Sequence, residues 1–92
     1  MSRPIYEIAT EIKQDIITVT KSFSYAVVHA KYRALMPYLD AMSSLEDMSS
    51  RFGAESASSI IAYFLANAGQ WKGETARRVK AELNSMLKSV EA

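Results

Sequence analysis

The sequence predicts an all-α fold: a compact bundle of four to five helices, with a kink or break at Pro37 and a central apolar helix near residues 56–68. Three observations predict it. Apolar side chains recur every three or four residues along four stretches of the chain, the spacing of one helix face. The one β-branched run, Ile16-Ile17-Thr18-Val19-Thr20, has no second run to pair with, and a lone strand has no ladder. The chain has 92 residues, 49% hydrophobic and 23% charged, which suits a single helical domain over 1–92 and not a disordered chain.

The first helix is expected from the stripe Ile5, Ile8, Ile12, Ile16, Val19 and Phe23. Pro4 suits its first turn, where a missing N–H has no partner to lose. Ser2 or Arg3 then falls near the cap. Glu7, Glu11 and Asp15 are spaced by four and share what reads as a solvated outer face. Ser22 and Ser24 offer cap or turn chemistry before the next element.

A second stripe runs through Val28, Tyr32, Leu35, Leu39, Met42, Leu45, Met48 and Phe52, straight across Pro37. Proline removes a backbone bond and clashes with the preceding turn. The reading is therefore a kinked helix, or two helices abutting at Met36–Pro37, with Gly53 as the stop after Phe52.

The third element, from about Glu55 or Ser56 to Ala68, places Ala57, Ile60, Ile61, Phe64, Leu65 and Ala68 on one broad face. Its other side holds Ser59, Ala62, Tyr63 and Ala66, small or amphipathic, so it reads as a central helix ended by Gly69. The last helix starts near Gly73-Glu74-Thr75 and runs to about Val90, with a seam of Ala76, Val79, Leu83, Met86 and Val90. Two heptads are too few for a coiled coil, so the seam is expected to pack on the domain's own core. The expected core is Ile8, Ile12, Leu35, Leu39, Ile60, Ile61, Phe64, Leu65, Val79 and Leu83.

Composition excludes several chemistries. With no cysteine there is no disulfide, thiolate metal site or thiol nucleophile. Residues Ser56 to Gln70 carry no charge but include three serines and an asparagine, unlike the roughly 20 mostly apolar residues of a membrane span. The opening Met1-Ser2-Arg3-Pro4-Ile5-Tyr6-Glu7 has no apolar core of a secretory signal, and a cytoplasmic location is the default expectation. Three glycines cannot spell either common phosphate-binding loop. His29 is the only histidine, lies between Val28 and Ala30, and fits a helix surface or boundary better than a zinc ligand. Glu7, Glu11 and Asp15 lack the loop or Glu-x-x-His pattern that would make them a cation site. The expectation is a non-enzyme with no catalytic residue, no metal, no cofactor and no evident small-molecule substrate.

Net charge is +1, distributed as +2 over residues 1–36, −3 over 37–56 and +2 over 57–92. The isoelectric point of about 8.0 is below the value above about 9 usual for nucleic-acid domains. A local basic patch is still compatible with this. Residues 57–88 suggest a helix-turn-helix: a central helix, a glycine-bounded turn of about five residues and a basic helix. In that arrangement Lys72, Arg77, Arg78, Lys80, Asn84 and Lys88 are the nucleic-acid candidates, with arginine reading guanine, asparagine reading adenine and the lysines on phosphates. Two features oppose it, since the turn is longer than the usual three or four residues and the domain lacks positive charge. The competing reading is an αα-hairpin with Trp71 plugging its corner.

The leading expectation is a small accessory protein that self-associates as a dimer, binds a partner protein, or both. The second stripe and the C-terminal seam offer more apolar surface than a chain this short readily buries alone. Tyr25, Tyr38, Tyr63, Trp71 and Arg77 are the candidate partner contacts, because aromatics and arginine are enriched at interfaces. The alternative is a DNA-binding regulator using residues 57–88.

Overall fold

In a computed structural model, residues 3–21, 26 and 30–91 are described, with side chains up to Ser89. Four helices occur among them: α1 (Ile5–Thr20), α2 (Met36–Met42), α3 (Ala57–Ala66) and α4 (Glu74–Glu91). A two-stranded antiparallel sheet joins β1 (Arg51–Phe52) to β2 (Glu55–Ser56). Phe23, Tyr25, Val28 and His29 lie outside the described residues, as do Ser22 and Ser24.

α1 forms where the stripe expects it, and buries Ile5, Ile8, Ala9, Ile12 and Ile16. Its β-branched end stays helical, and the Thr18 and Thr20 hydroxyls there donate back to the Gln14 and Ile16 carbonyls. Pro4 precedes the helix as its cap and offers no side-chain acceptor. The donors of the first turn are met from elsewhere: the Ile5 and Tyr6 N–H groups each donate at 2.9 Å to the Glu46 and Leu45 carbonyls. At the far end Lys21 takes a left-handed conformation, φ 57°, and its N–H donates to Ile17 and Thr18.

The second stripe is broken, not kinked. The Leu35 and Met36 N–H groups close a turn onto Tyr32 O, and Pro37 is the second residue of α2, where an N–H would lack a helical partner. The expected continuation to Phe52 fails. α2 stops at Met42 because residues 43–50 carry turn chemistry that competes with the helix. Ser50 Oγ accepts from the Glu46 and Asp47 N–H groups, and Asp47 Oδ1 accepts from the Ser49 N–H. The Ser49 hydroxyl and N–H hold the Asp47 carboxyl below its usual range. Leu45 still reaches the core, whereas Phe52 ends 49% exposed on β1. Gly53 is not a helix stop but the first residue of the two-residue hairpin loop Gly53–Ala54, at φ 62°. A positive φ there matches the twist that hairpin strands need.

α3 begins on a side-chain cap, since Ser56 Oγ accepts from the Ser59 N–H. It ends at Ala66, earlier than expected. Asn67, not Gly69, terminates it, and its Nδ2 donates to the Tyr63 carbonyl at 2.8 Å. α4 starts as expected, its first backbone bond running from Arg77 N–H to Gly73 O.

The helices pack in a closed ring: α1 on α2, α2 on α3, α3 on α4 and α4 on α1. One core fills it, made of Ile8, Ile12, Leu35, Leu39, Ile60, Ile61, Phe64, Trp71, Val79, Leu83 and their neighbours. Of the expected core residues only Leu65 is left partly exposed. The ring also corrects the reading of α3 as central. It is one wall of the ring formed by the four described helices, and its Ala62, Tyr63 and Ala66 face water. The Cα radius of gyration, 12.6 Å, is near the value of about 12 Å expected for a compact chain of this length.

Candidate interaction surface

The outer wall of α3 is an uncharged, largely apolar face that is open to water among the described residues. Ala62, Tyr63 and Ala66 are exposed, Ser59 and Leu65 half-buried, and no charged residue occurs in the helix. Tyr38 of α2 lies beside it. The Tyr38 and Tyr63 rings stack with centroids 6.0 Å apart and planes inclined by 27°. Tyr38 is half-buried against the core while Tyr63 remains 54% exposed, so the inner ring braces the outer one. A supported aromatic beside small uncharged side chains offers rigid apolar area at low entropic cost.

The corner between α3 and α4 is built differently. Residues 67–73 form the connection, longer than the expected turn and longer still than that of a helix-turn-helix. Trp71 fills it and is 0% exposed. Its ring meets Phe64 edge-on at 6.0 Å, and its Nε1 donates to Asp15 Oδ2 at 2.8 Å. Lys80 lies over the indole, with Nζ 5.7 Å from the ring centroid, and donates to the Ala68 and Trp71 carbonyls at 2.7 and 2.6 Å. Burial, and then the nearby Lys72 charge, lower the Lys80 pKa.

A charge network closes α1 onto α4. Glu11 pairs with both Arg3 and Arg78, and Arg3 also donates to Glu82 through Nε at 3.1 Å and Nη2 at 3.0 Å. The Arg78 and Arg3 guanidinium groups hold the Glu11 carboxyl below its usual range, against a smaller opposing effect of burial. The supposed solvated acidic face is thus largely engaged: Glu11 serves this network and Asp15 serves Trp71, while Glu7 alone is exposed.

These positions sort the candidate residues. Tyr38 and Tyr63 come together; Tyr25 lies outside the described residues; Arg77 is exposed on α4. Trp71 is removed as a direct partner contact because no part of it reaches the surface. Among the nucleic-acid candidates, Lys72, Arg77 and Lys88 are exposed, whereas Arg78 is committed to Glu11, Lys80 to two carbonyls, and the Asn84 amide donates to Lys80 O. Lys80 therefore turns in over the Trp71 indole. What sequence spacing missed is the Asp15–Trp71 bond and the Arg3–Glu11–Arg78–Glu82 network, which join residues far apart in the chain.

A shallow groove of about 530 Å³ also lies between Arg3, Pro4, the 46–49 turn, Met86 and Ser89. No group of three metal-ligating side chains is found among the described residues. No described helix is long and apolar enough to cross a membrane. Comparisons with protein-family models, with curated proteins and with solved structures find no match.

Proposed function

We propose that this chain is a small helical bundle acting as a non-enzymatic interaction protein, which self-associates or binds a partner protein through the Tyr38–Tyr63 face. One observation carries the reading: an exposed tyrosine, braced by a second one, stands on an uncharged helix wall beside Ala62 and Ala66. Interface cores are depleted in charge and enriched in aromatics, and their energy concentrates in a few anchored side chains. Tyr63 is such an anchor, and the small side chains around it let a partner helix approach closely.

Self-association is the form testable without a known partner. Sedimentation equilibrium of the wild type and of Tyr63→Lys tests it, with thermal unfolding as the control. The expected result is a concentration-dependent mass for the wild type, a monomer for the variant, and the same melting temperature for both. A strict monomer at high protein concentration removes self-association. A large loss of stability in Tyr63→Lys would assign Tyr63 to the fold and remove the face altogether.

A further inference from the structure

We propose that the cleft at the α3–α4 corner binds a phosphate-type oxyanion between Lys72, Arg77 and Lys80. The cleft holds about 310 Å³ and is lined by Trp71, Lys72, Gly73, Ala76, Arg77 and Lys80. Three of these six are cations and none is acidic. Glu74, the nearest carboxylate in sequence, does not line it.

Each cation reaches the cleft for a separate reason. Lys80 is drawn inward by the Ala68 and Trp71 carbonyls and stays over the indole. Lys72 sits in the 67–73 connection, and Arg77 in the first turn of α4. Neither pairs with a carboxylate among the described residues. Like charges gathered over a low-dielectric floor repel one another; the Lys80 pKa is lowered first by burial and then by the nearby Lys72 charge. A bound oxyanion relieves the repulsion. Gly73, at φ 117°, directly precedes α4 and has no side chain to accept from the first-turn N–H groups. Arginine supplies the planar fork suited to phosphate, and lysine supplies point charge.

The site rests on different residues from the Tyr38–Tyr63 face, and either can fail alone. The shared chemistry is the phosphoryl group, whether of a small phosphorylated molecule or of a nucleic-acid backbone. Trp71, the only tryptophan, is buried beneath the cleft under Lys80 and is a built-in reporter of charge changes there. The test is a titration of the whole protein with inorganic phosphate at constant ionic strength, using chloride as the control, read by tryptophan fluorescence and amide chemical shifts. A parallel titration uses a short DNA duplex at several salt concentrations. The expected result is a saturable response to at least one probe, weakened about tenfold or more in the double variant Lys72→Ala/Arg77→Ala. Both positions are exposed, and circular dichroism checks that the variant folds. Saturation by phosphate assigns a small ligand; a response to duplex alone, falling steeply with salt, assigns the backbone source. Phosphate and duplex responses no larger than that of chloride, or a double variant that binds as the wild type does, would overturn the proposal.

Discussion

Trp71 Nε1 donates to Asp15 Oδ2 at 2.8 Å, across 56 positions of sequence. The indole is among the largest fully buried side chains, and this bond satisfies its one polar atom. It fixes α1 against the α3–α4 connection. It also accounts for an aspartate that would otherwise sit on a half-buried flank with nothing to accept from.

Trp71→Ala should cost about 3–5 kcal/mol, the range for emptying a large aromatic site in a packed core. Asp15→Ala should cost about 1–2 kcal/mol, because it orphans the buried indole N–H. In a Trp71→Phe background the Asp15 change should cost much less, since there is no donor left to orphan. Urea unfolding of the four proteins closes the cycle; equal costs of the Asp15 change in both backgrounds would show that the bond contributes nothing.

The Glu11 network makes part of the stability acid-sensitive. The Arg78 and Arg3 contacts depress the Glu11 pKa below its ordinary 4.5. The contribution is therefore fully present above that value and is lost as pH falls through the depressed one. Glu11→Gln should lower stability at neutral pH by about 1 kcal/mol, a modest figure because Arg78 is half exposed. Below pH 4.5 the variant and the wild type should converge. Chemical denaturation across this range measures both, and a constant gap at all pH values would contradict the electrostatic origin.

The fold was legible where apolar spacing acts alone and hidden where local polar groups compete with it. Ile5, Ile8, Ile12 and Ile16 all point inward, as their spacing requires. The spacing of Leu45, Met48 and Phe52 is equally helical, yet Asp47 and Ser50 hydrogen-bond the backbone there and turn the chain into a hairpin. The exposed wall of α3 is not legible in the sequence because an almost uniformly apolar helix suggests burial on all sides, whereas Ala62 and Ala66 are small enough to be left in water. At the corner, Trp71 was recognisable as a plug. Its partner Asp15 was not, since nothing in one sequence relates residues so distant.

Gly53 offers a local check on the hairpin. At φ 62° it occupies a conformation that side chains resist, although a Cβ there would meet nothing within 4 Å. Gly53→Ala should therefore cost about 1 kcal/mol through backbone strain alone. Thermal unfolding reads this, and an unchanged or raised melting temperature would show that the turn is not formed.

Ser56 gives a second local check, since its hydroxyl caps α3 by accepting from the Ser59 N–H. Ser56→Ala should lose about 1 kcal/mol, and Ser56→Asp should recover most of it. Equal loss in both variants, measured by urea unfolding, would show that the cap is not the cause.

The most direct test of the interaction face is the molecular mass of the protein in solution as its concentration rises, compared with that of Tyr63→Lys. Mass growing with concentration in the wild type and fixed at the monomer value in the variant is the expected result. Association that survives Tyr63→Lys unchanged would contradict the role given to the Tyr38–Tyr63 face.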